Sequence, residues 1–183
     1  MTSTVSPSPA DAIAIERLDA AGARAAMSTL SEILEDAVVN GASVGFMDWN
    51  TPPDYDRFWA GVADAVANDQ VLLFVAREGD AILGTAQLHL IGKPNQPHRA
   101  EIAKVLVHSR ARRRGLGERL MKAAENAARV SGRDLLVLDT DQASGARSFY
   151  RKLGWIEVGT IPRFALMPDG SDCATTFFYK ELR

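Results

Sequence analysis

Cysteine is nearly absent from this chain. Cys173 is the only one, so no internal disulfide framework can form, and the composition fits a reducing compartment such as the cytoplasm. Cys173 lies in an apolar stretch and reads as a small core residue rather than an acyl-carrying nucleophile. Histidine is scarce too: His89, His98 and His108 match no metal-ligand spacing, so no metal site is expected. No run approaches the ~20 apolar residues of a membrane span. Neither sign of charge dominates. A net charge of -2 argues against a nucleic-acid binder, which would carry a dominant basic surface. Residues 1–11 are rich in Ser, Thr and Pro without a signal pattern and read as a flexible tail. Residues 12–183 then read as one domain, long enough for a sizeable core.

Against this near-neutral background stands one local basic feature, Arg112-Arg113-Arg114-Gly115-Leu116-Gly117. It lies between an apolar run (102–107) and a helix-like run (118–130). A helix start carries unpaired N–H donors and partial positive charge, which suits a phosphate. Gly115 and Gly117 let backbone approach a pyrophosphate with no Cβ in the way, and arginines offer forked donors. The spacing is neither a dinucleotide fingerprint nor a Walker loop.

Hydrophobic periodicity orders the rest. A strand is predicted over 12–18, a helix over 19–39, a loop over 42–53 and a second helix over 54–68. Strands follow over 71–77 and 81–91, then 101–108 after a Pro/Asn loop. The turn feeds a helix that Gly132 ends. Residues 135–138 are wholly apolar, as for a strand buried on both faces. A short helix over 144–153 and strands over 155–160 and 174–179 complete the order.

The R-x-x-G-x-G turn, this element order and Phe149-Tyr150-Arg151-Lys152-Leu153-Gly154-Trp155 together resemble the GNAT acetyltransferase superfamily, over nearly the whole chain. The resemblance implies an α/β fold: a mixed, mostly antiparallel sheet with a splayed parallel strand pair, flanked by helices. It implies acetyl-CoA as cosubstrate, its pyrophosphate held by Arg112, Arg113, Arg114, Gly115, Leu116, Gly117 and Glu118, and its pantetheine arm by the backbone of Val105, Leu106 and Val107. Arg113 stands where many relatives have glycine. Ala143 stands where many have a cofactor-contacting asparagine, so that contact is either missing or comes from Ser144. Segments such as Gly41-Ala42-Ser43-Val44-Gly45-Phe46-Met47 and Lys93-Pro94-Asn95 resemble the tabtoxin-resistance acetyltransferases. That implies a small amine acceptor, a toxin or antibiotic, acetylated by direct transfer in a ternary complex. A peptide or protein acceptor, a non-catalytic acyl-CoA sensor and a homodimer stay open.

Three residues are candidates for the chemistry. In the superfamily Tyr150 stands by the thioester sulfur, where its hydroxyl can protonate the leaving thiolate; from spacing alone it reads as a packing tyrosine. Asp139 shares a strand face with Leu135 and Val137 and ends the strand where α/β ligand sites collect. It can take the amine's proton or cap the following turn. Glu101 lies early on its strand, a base through water or a rim partner of Arg99 or Lys104. His108 is expected at the mouth of the turn, exposed to solvent. Phe46 and Trp49 are the acceptor-wall candidates, or anchors of their own loop.

Overall fold

The computed structural model describes residues 13–182; the tail expected over residues 1–11 lies outside them. The elements in chain order are β1 (Ile13–Leu18), α1 (Ala20–Ala25), α2 (Met27–Val39), α3 (Pro52–Ala67), β2 (Val71–Glu78), β3 (Ala81–Leu90) and β4 (Arg99–Val107). They continue with α4 (Leu116–Val130), β5 (Leu135–Asp141), α5 (Ala146–Lys152), β6 (Ile156–Leu166) and β7 (Asp172–Glu181). The strands form one seven-stranded sheet in the order β1-β2-β3-β4-β5-β7-β6. Every pairing is antiparallel except β4 with β5. No helix among the described residues is long and apolar enough to cross a membrane.

Strand alternation divides the core between the two sheet faces. On one face Leu72, Phe74, Leu88, Ile102, Leu136 and Leu138 meet Leu116, Leu120, Met121, Ala124 and Ala128 of α4 and Tyr150 of α5. On the other, Leu73, Val75 and Ile82 meet Leu30, Ile33 and Leu34 of α2 and Trp59, Val62 and Ala63 of α3. Local chemistry sets the helix starts. The Asp19 side chain accepts from the Gly22 N–H at 2.7 Å. Thr51 and Asp54 form a reciprocal capping box ahead of a proline-led first turn.

The structure departs from the sequence expectation in three places. The helix expected over 19–39 divides at Ala26, which ends α1 and precedes α2. The two pieces dock differently: Arg24 of α1 pairs with Asp64 of α3 at 2.5 Å, whereas Asp36 of α2 clamps the turn after β4. The strand expected over 155–160 runs on to Leu166, because β6 shifts register between Ile161 and Ala165 and then pairs Ala165 with Cys173. The run 135–138 is buried on one face only: Leu136 and Leu138 are buried, Leu135 and Val137 half-buried and Asp139 exposed. That second face lines an opening in the sheet.

A buried polar knot fixes α5 against α4. Glu125 of α4 accepts from Trp155 Nε1 at 3.0 Å and from Lys180 Nζ at 2.8 Å, and Lys180 also donates to the Leu153 carbonyl at 2.8 Å. Removing the carboxylate strands a largely buried ammonium and an indole N–H. Glu125→Ala is therefore expected to lower unfolding stability by about 3 kcal/mol, read from urea titration as a shifted midpoint with an unchanged slope. A loss near zero would mean that the knot does not hold these elements together.

Candidate active site

The parallel pair is short. Arg99, Ala100 and Glu101 of β4 pair with Leu135, Leu136 and Val137 of β5. Beyond them β5 pairs only with β7, and residues 103–107 of β4 keep only β3 as a neighbour. The strands part toward their C-terminal ends, so the parallel pair is splayed as the resemblance implies. A bulge adds to the divergence. Gln87 faces Ala103 and Thr85 faces Leu106, which leaves Lys104 and Val105 together opposite Ala86. Lys104 adopts a left-handed backbone with φ 49°.

Two cavities occupy the opening. The first, about 320 Å³, is lined by Lys104, Val105, Leu106, Asp139, Tyr150 and the loop residues Ser43, Val44 and Gly45, among others. The second, about 350 Å³, is lined by Val107, Arg112, Arg113, Gly115, Leu116, Gly117, Glu118 and Phe149. Their linings include consecutive residues, Leu106 with Val107 and Phe149 with Tyr150, so the two cavities neighbour one another along the gap.

The turn fits a pyrophosphate. Gly115 caps α4 with a left-handed backbone (φ 75°), and no side chain caps the helix. The N–H groups at its start are left for a ligand. The two glycines serve different ends: Gly115 supplies the conformation, while a Cβ at Gly117 would lie 3.3 Å from Phe149 Cζ. Arg113 is itself left-handed, with φ 63°, so the turn keeps the conformation that glycine adopts at less cost although a non-glycine residue stands there.

The arginines do not act together. Arg112 and Arg113 line the groove, but the Arg114 guanidinium is committed to Glu78 of β2, with contacts of 2.6 and 3.3 Å. Its side chain is thus drawn toward β2 and lines neither cavity. Glu118 lines the groove and pairs with Lys122 at 2.6 Å. Ser144 donates to the Asp141 carbonyl at 3.0 Å and lines neither cavity, so its hydroxyl is spent on its own turn.

The remaining candidates separate in the same way. Tyr150 is buried against Phe149, Trp155 and Phe178. Burial, then the Asp139 charge, push its hydroxyl well above the ordinary tyrosine range, so it stays protonated. Asp139 reaches the cleft and its surroundings strip part of its hydration. That raises its pKa, against the pull of Lys104. Desolvation conversely lowers the Lys104 pKa, opposed by Asp139. Glu101 lines neither cavity and sits 3.9 Å from Arg99, the rim pairing left open from sequence. Phe46 packs on Tyr55 and Phe58 with ring centroids 5.2 and 5.4 Å away, outside the cleft lining. Trp49 is 65% exposed. Its loop docks through the Asp48 N–H on the Pro168 carbonyl at 3.0 Å and turns the indole outward, so neither aromatic walls the cleft.

Two residues went unnoticed in the sequence as parts of the site. Lys104 is the cation of the cleft; its one signal is a lysine inside an apolar strand run. Asp36 accepts from the Ser109 N–H at 2.8 Å and hydroxyl at 2.6 Å, 3.5 Å from His108 Nδ1. Burial raises its pKa, but the Ser109 hydrogen bonds, with His108 and Arg112, outweigh it and hold the carboxylate below its ordinary range. No sequence pattern joins α2 to this turn. His108, expected in solvent, is thus drawn against Asp36.

Two outcomes follow from this geometry. Gly117→Asp puts bulk and negative charge at the start of α4 and is expected to weaken acetyl-CoA binding at least about tenfold, measured by calorimetry; unchanged affinity would refute the pyrophosphate assignment. The raised Asp139 pKa means that its ionised form is disfavoured in the folded state. That penalty grows as pH rises from about 4 through the raised pKa, and is full above it. Asp139→Asn is thus expected to raise the melting temperature at pH 7, with the gain vanishing below about pH 4. A destabilised variant at pH 7 would contradict the assigned cause.

Comparison with known proteins agrees with the geometry. The model of the acetyltransferase (GNAT) family matches residues 29–155. An uncharacterized N-acetyltransferase from the hisH-hisA intergenic region of Azospirillum brasilense is 34% identical over 132 residues, 69% of this chain and 74% of its own. Among solved structures, an N-acetyltransferase from Staphylococcus aureus Mu50 has a TM-score of 0.77 at 20% identity, over 93% of this chain and 99% of its own. A ribosomal-protein-alanine N-acetyltransferase from Brucella melitensis has 0.77 at 23%, over 92% and 99%. A Salmonella typhimurium structure containing its cofactor acetyl-CoA has 0.76 at 22%, over 94% and 95%. At these identities the structures speak for the fold, whereas the family model and the Azospirillum relative speak for kinship. The chain belongs to the GNAT acetyltransferase family and is an N-acetyltransferase whose acyl donor is acetyl-CoA.

Proposed function

We propose that this enzyme moves the acetyl group of acetyl-CoA to a primary amine of a small molecule, by direct transfer in a ternary complex. The observation that carries the reading is the pair of neighbouring cavities, one beside the uncapped helix start and the other lined by Asp139 and Tyr150.

Acetyl-CoA brings an activated acyl group, so that a C–N bond forms as the C–S bond breaks. The chain holds the reactants and moves the protons. The N–H groups of 115–118, with Arg112 and Arg113, hold the pyrophosphate. The β4 backbone at Val105, Leu106 and Val107, which lacks a strand partner on the β5 side, pairs with the pantetheine arm. An N–H there polarises the thioester carbonyl. Asp139 takes a proton from the acceptor ammonium, a task its raised pKa suits better than an ordinary aspartate's. Tyr150, kept protonated by burial, gives its proton to the departing sulfur. Glu101 is a weaker base candidate, acting through water from the rim.

The loop segment Gly41–Met47 supports a toxin or antibiotic among the acceptors, because it resembles the tabtoxin-resistance enzymes and its Ser43, Val44 and Gly45 line the cleft. A cytoplasmic location fits the single buried cysteine. A homodimer is supported by Ile156, Val158, Ile161, Phe164 and Leu166, all exposed on edge strand β6.

Mass-detected acetyl transfer to a panel of small amines, amine-bearing toxins and short peptides tests the reading. One acetyl group gained on small amines is expected, with Tyr150→Phe lowering kcat about a hundredfold while acetyl-CoA affinity holds. Wild-type turnover in that variant would remove Tyr150 from the mechanism. Acetylation confined to peptides would replace the small-molecule acceptor.

A further inference from the structure

The cleft holds a cation, Lys104, that has no close ion-pair partner among the described residues. Lys104 occupies a left-handed conformation (φ 49°) that costs a non-glycine residue about 1 kcal/mol and is kept within the β4 bulge. Its ammonium lies 5.3 Å from the Phe58 ring centroid and so close to the loop that a Cβ at Gly45 would stand 3.7 Å away. Phe58 and Gly45 close in on it, and the side chain is half-buried. Among the described residues no carboxylate forms an ion pair with it. Glu101 is paired with Arg99, and Asp139 acts on it only at longer range.

A partly desolvated ammonium without an ion-pair partner is costly to keep in a cleft unless a ligand answers it. The phosphates of the acyl donor belong at the turn, past Val107, and its thioester end is uncharged. The missing anion therefore arrives with the acceptor. One ammonium with Asp139 nearby suits a monoanion; a phosphate dianion would meet the repulsion of Asp139.

We propose that the acceptor is a carboxylate-bearing amine, an amino acid or close analogue, whose carboxylate is held by Lys104 while its ammonium faces Asp139. Lys104 is then the specificity residue. This rests on the small-molecule reading above and narrows it: the cleft selects a zwitterion and turns away both simple alkylamines and peptide N-termini.

The test compares free amino acids with their methyl esters, their decarboxylated amines and short peptides as acceptors, for the wild-type enzyme and for Lys104→Gln. In the wild type the free acids are expected to exceed their esters in kcat/KM by about tenfold or more, mainly through KM. In Lys104→Gln the ratio of acid to ester is expected to collapse toward one. The ratio is internal to each protein, so a variant that folds poorly does not mimic the effect. The wild-type comparison also stands without any variant. Esters or decarboxylated amines used as well as the acids would overturn this inference alone. Acetylation of peptides only would overturn the small-molecule reading and this inference with it.

Discussion

Beyond Glu101 and Val137, β4 and β5 stop sharing hydrogen bonds, and the rest of the molecule is arranged around that loss. A sheet interior with unpaired backbone groups is costly unless something else pairs with them. Here the pairing is withdrawn in two ways. β5 is drawn along β7 for its full length, from Leu135 with Glu181 to Asp141 with Thr175. β4 bulges at Lys104 and Val105 against the single residue Ala86. Each strand keeps a partner strand on its outer side, so the gap opens without unravelling the sheet. The exposed β4 edge leads directly into the turn before α4. A ligand that pairs with that edge and ends in phosphates meets both requirements at once.

Holding such a gap open requires ties across it, and these are polar. Glu125 binds α4 to β7 and to the α5–β6 turn through Trp155 and Lys180, which sets Tyr150 at the cleft wall. Asp36 binds α2 to the turn through Ser109. Glu78 draws Arg114 toward β2. The loop after α2 crosses to the β6–β7 hairpin, where Ser43 donates to the Leu166 carbonyl at 2.7 Å. The Glu125 and Ser43 ties join elements on different sides of the groove, whereas Asp36 and Glu78 fix the turn at its end, so the cavity is framed by fixed walls. A pre-organised groove of this kind spares a ligand the cost of ordering its own site.

The sequence made the fold legible wherever local chemistry was enough. The Arg/Gly turn, the alternating face that ends in Asp139 and the aromatic pair at Phe149 and Tyr150 all lie within short segments, and the structure brings them to one groove. What could not be read was long-range partnership. Three adjacent arginines look alike in sequence, yet Glu78 claims Arg114 and Asp36 stands near Arg112. Trp49 and Phe46 are close neighbours in the chain, but docking on Pro168 turns one outward while Tyr55 and Phe58 hold the other. Lys104 was hidden for a different reason. Strand periodicity assigns a residue to a face, and a bulge breaks the period at the very residue that matters.

The charges of the cleft follow one logic. Desolvation keeps the Tyr150 hydroxyl protonated, makes Asp139 a stronger base and loosens the proton of Lys104. Each shift favours the neutral form, as a partly dry site must. Asp139 and Lys104 offset one another's shift without forming an ion pair. Were they paired, neither would have capacity left for a substrate: the carboxylate would lose basicity and the ammonium its open face. Separation leaves both side chains open to a substrate. An amine with a negative group of its own relieves both residues together, whereas a plain amine relieves only Asp139. On the proposed reading, the spacing of two side chains that do not touch sets which acceptor the cleft prefers.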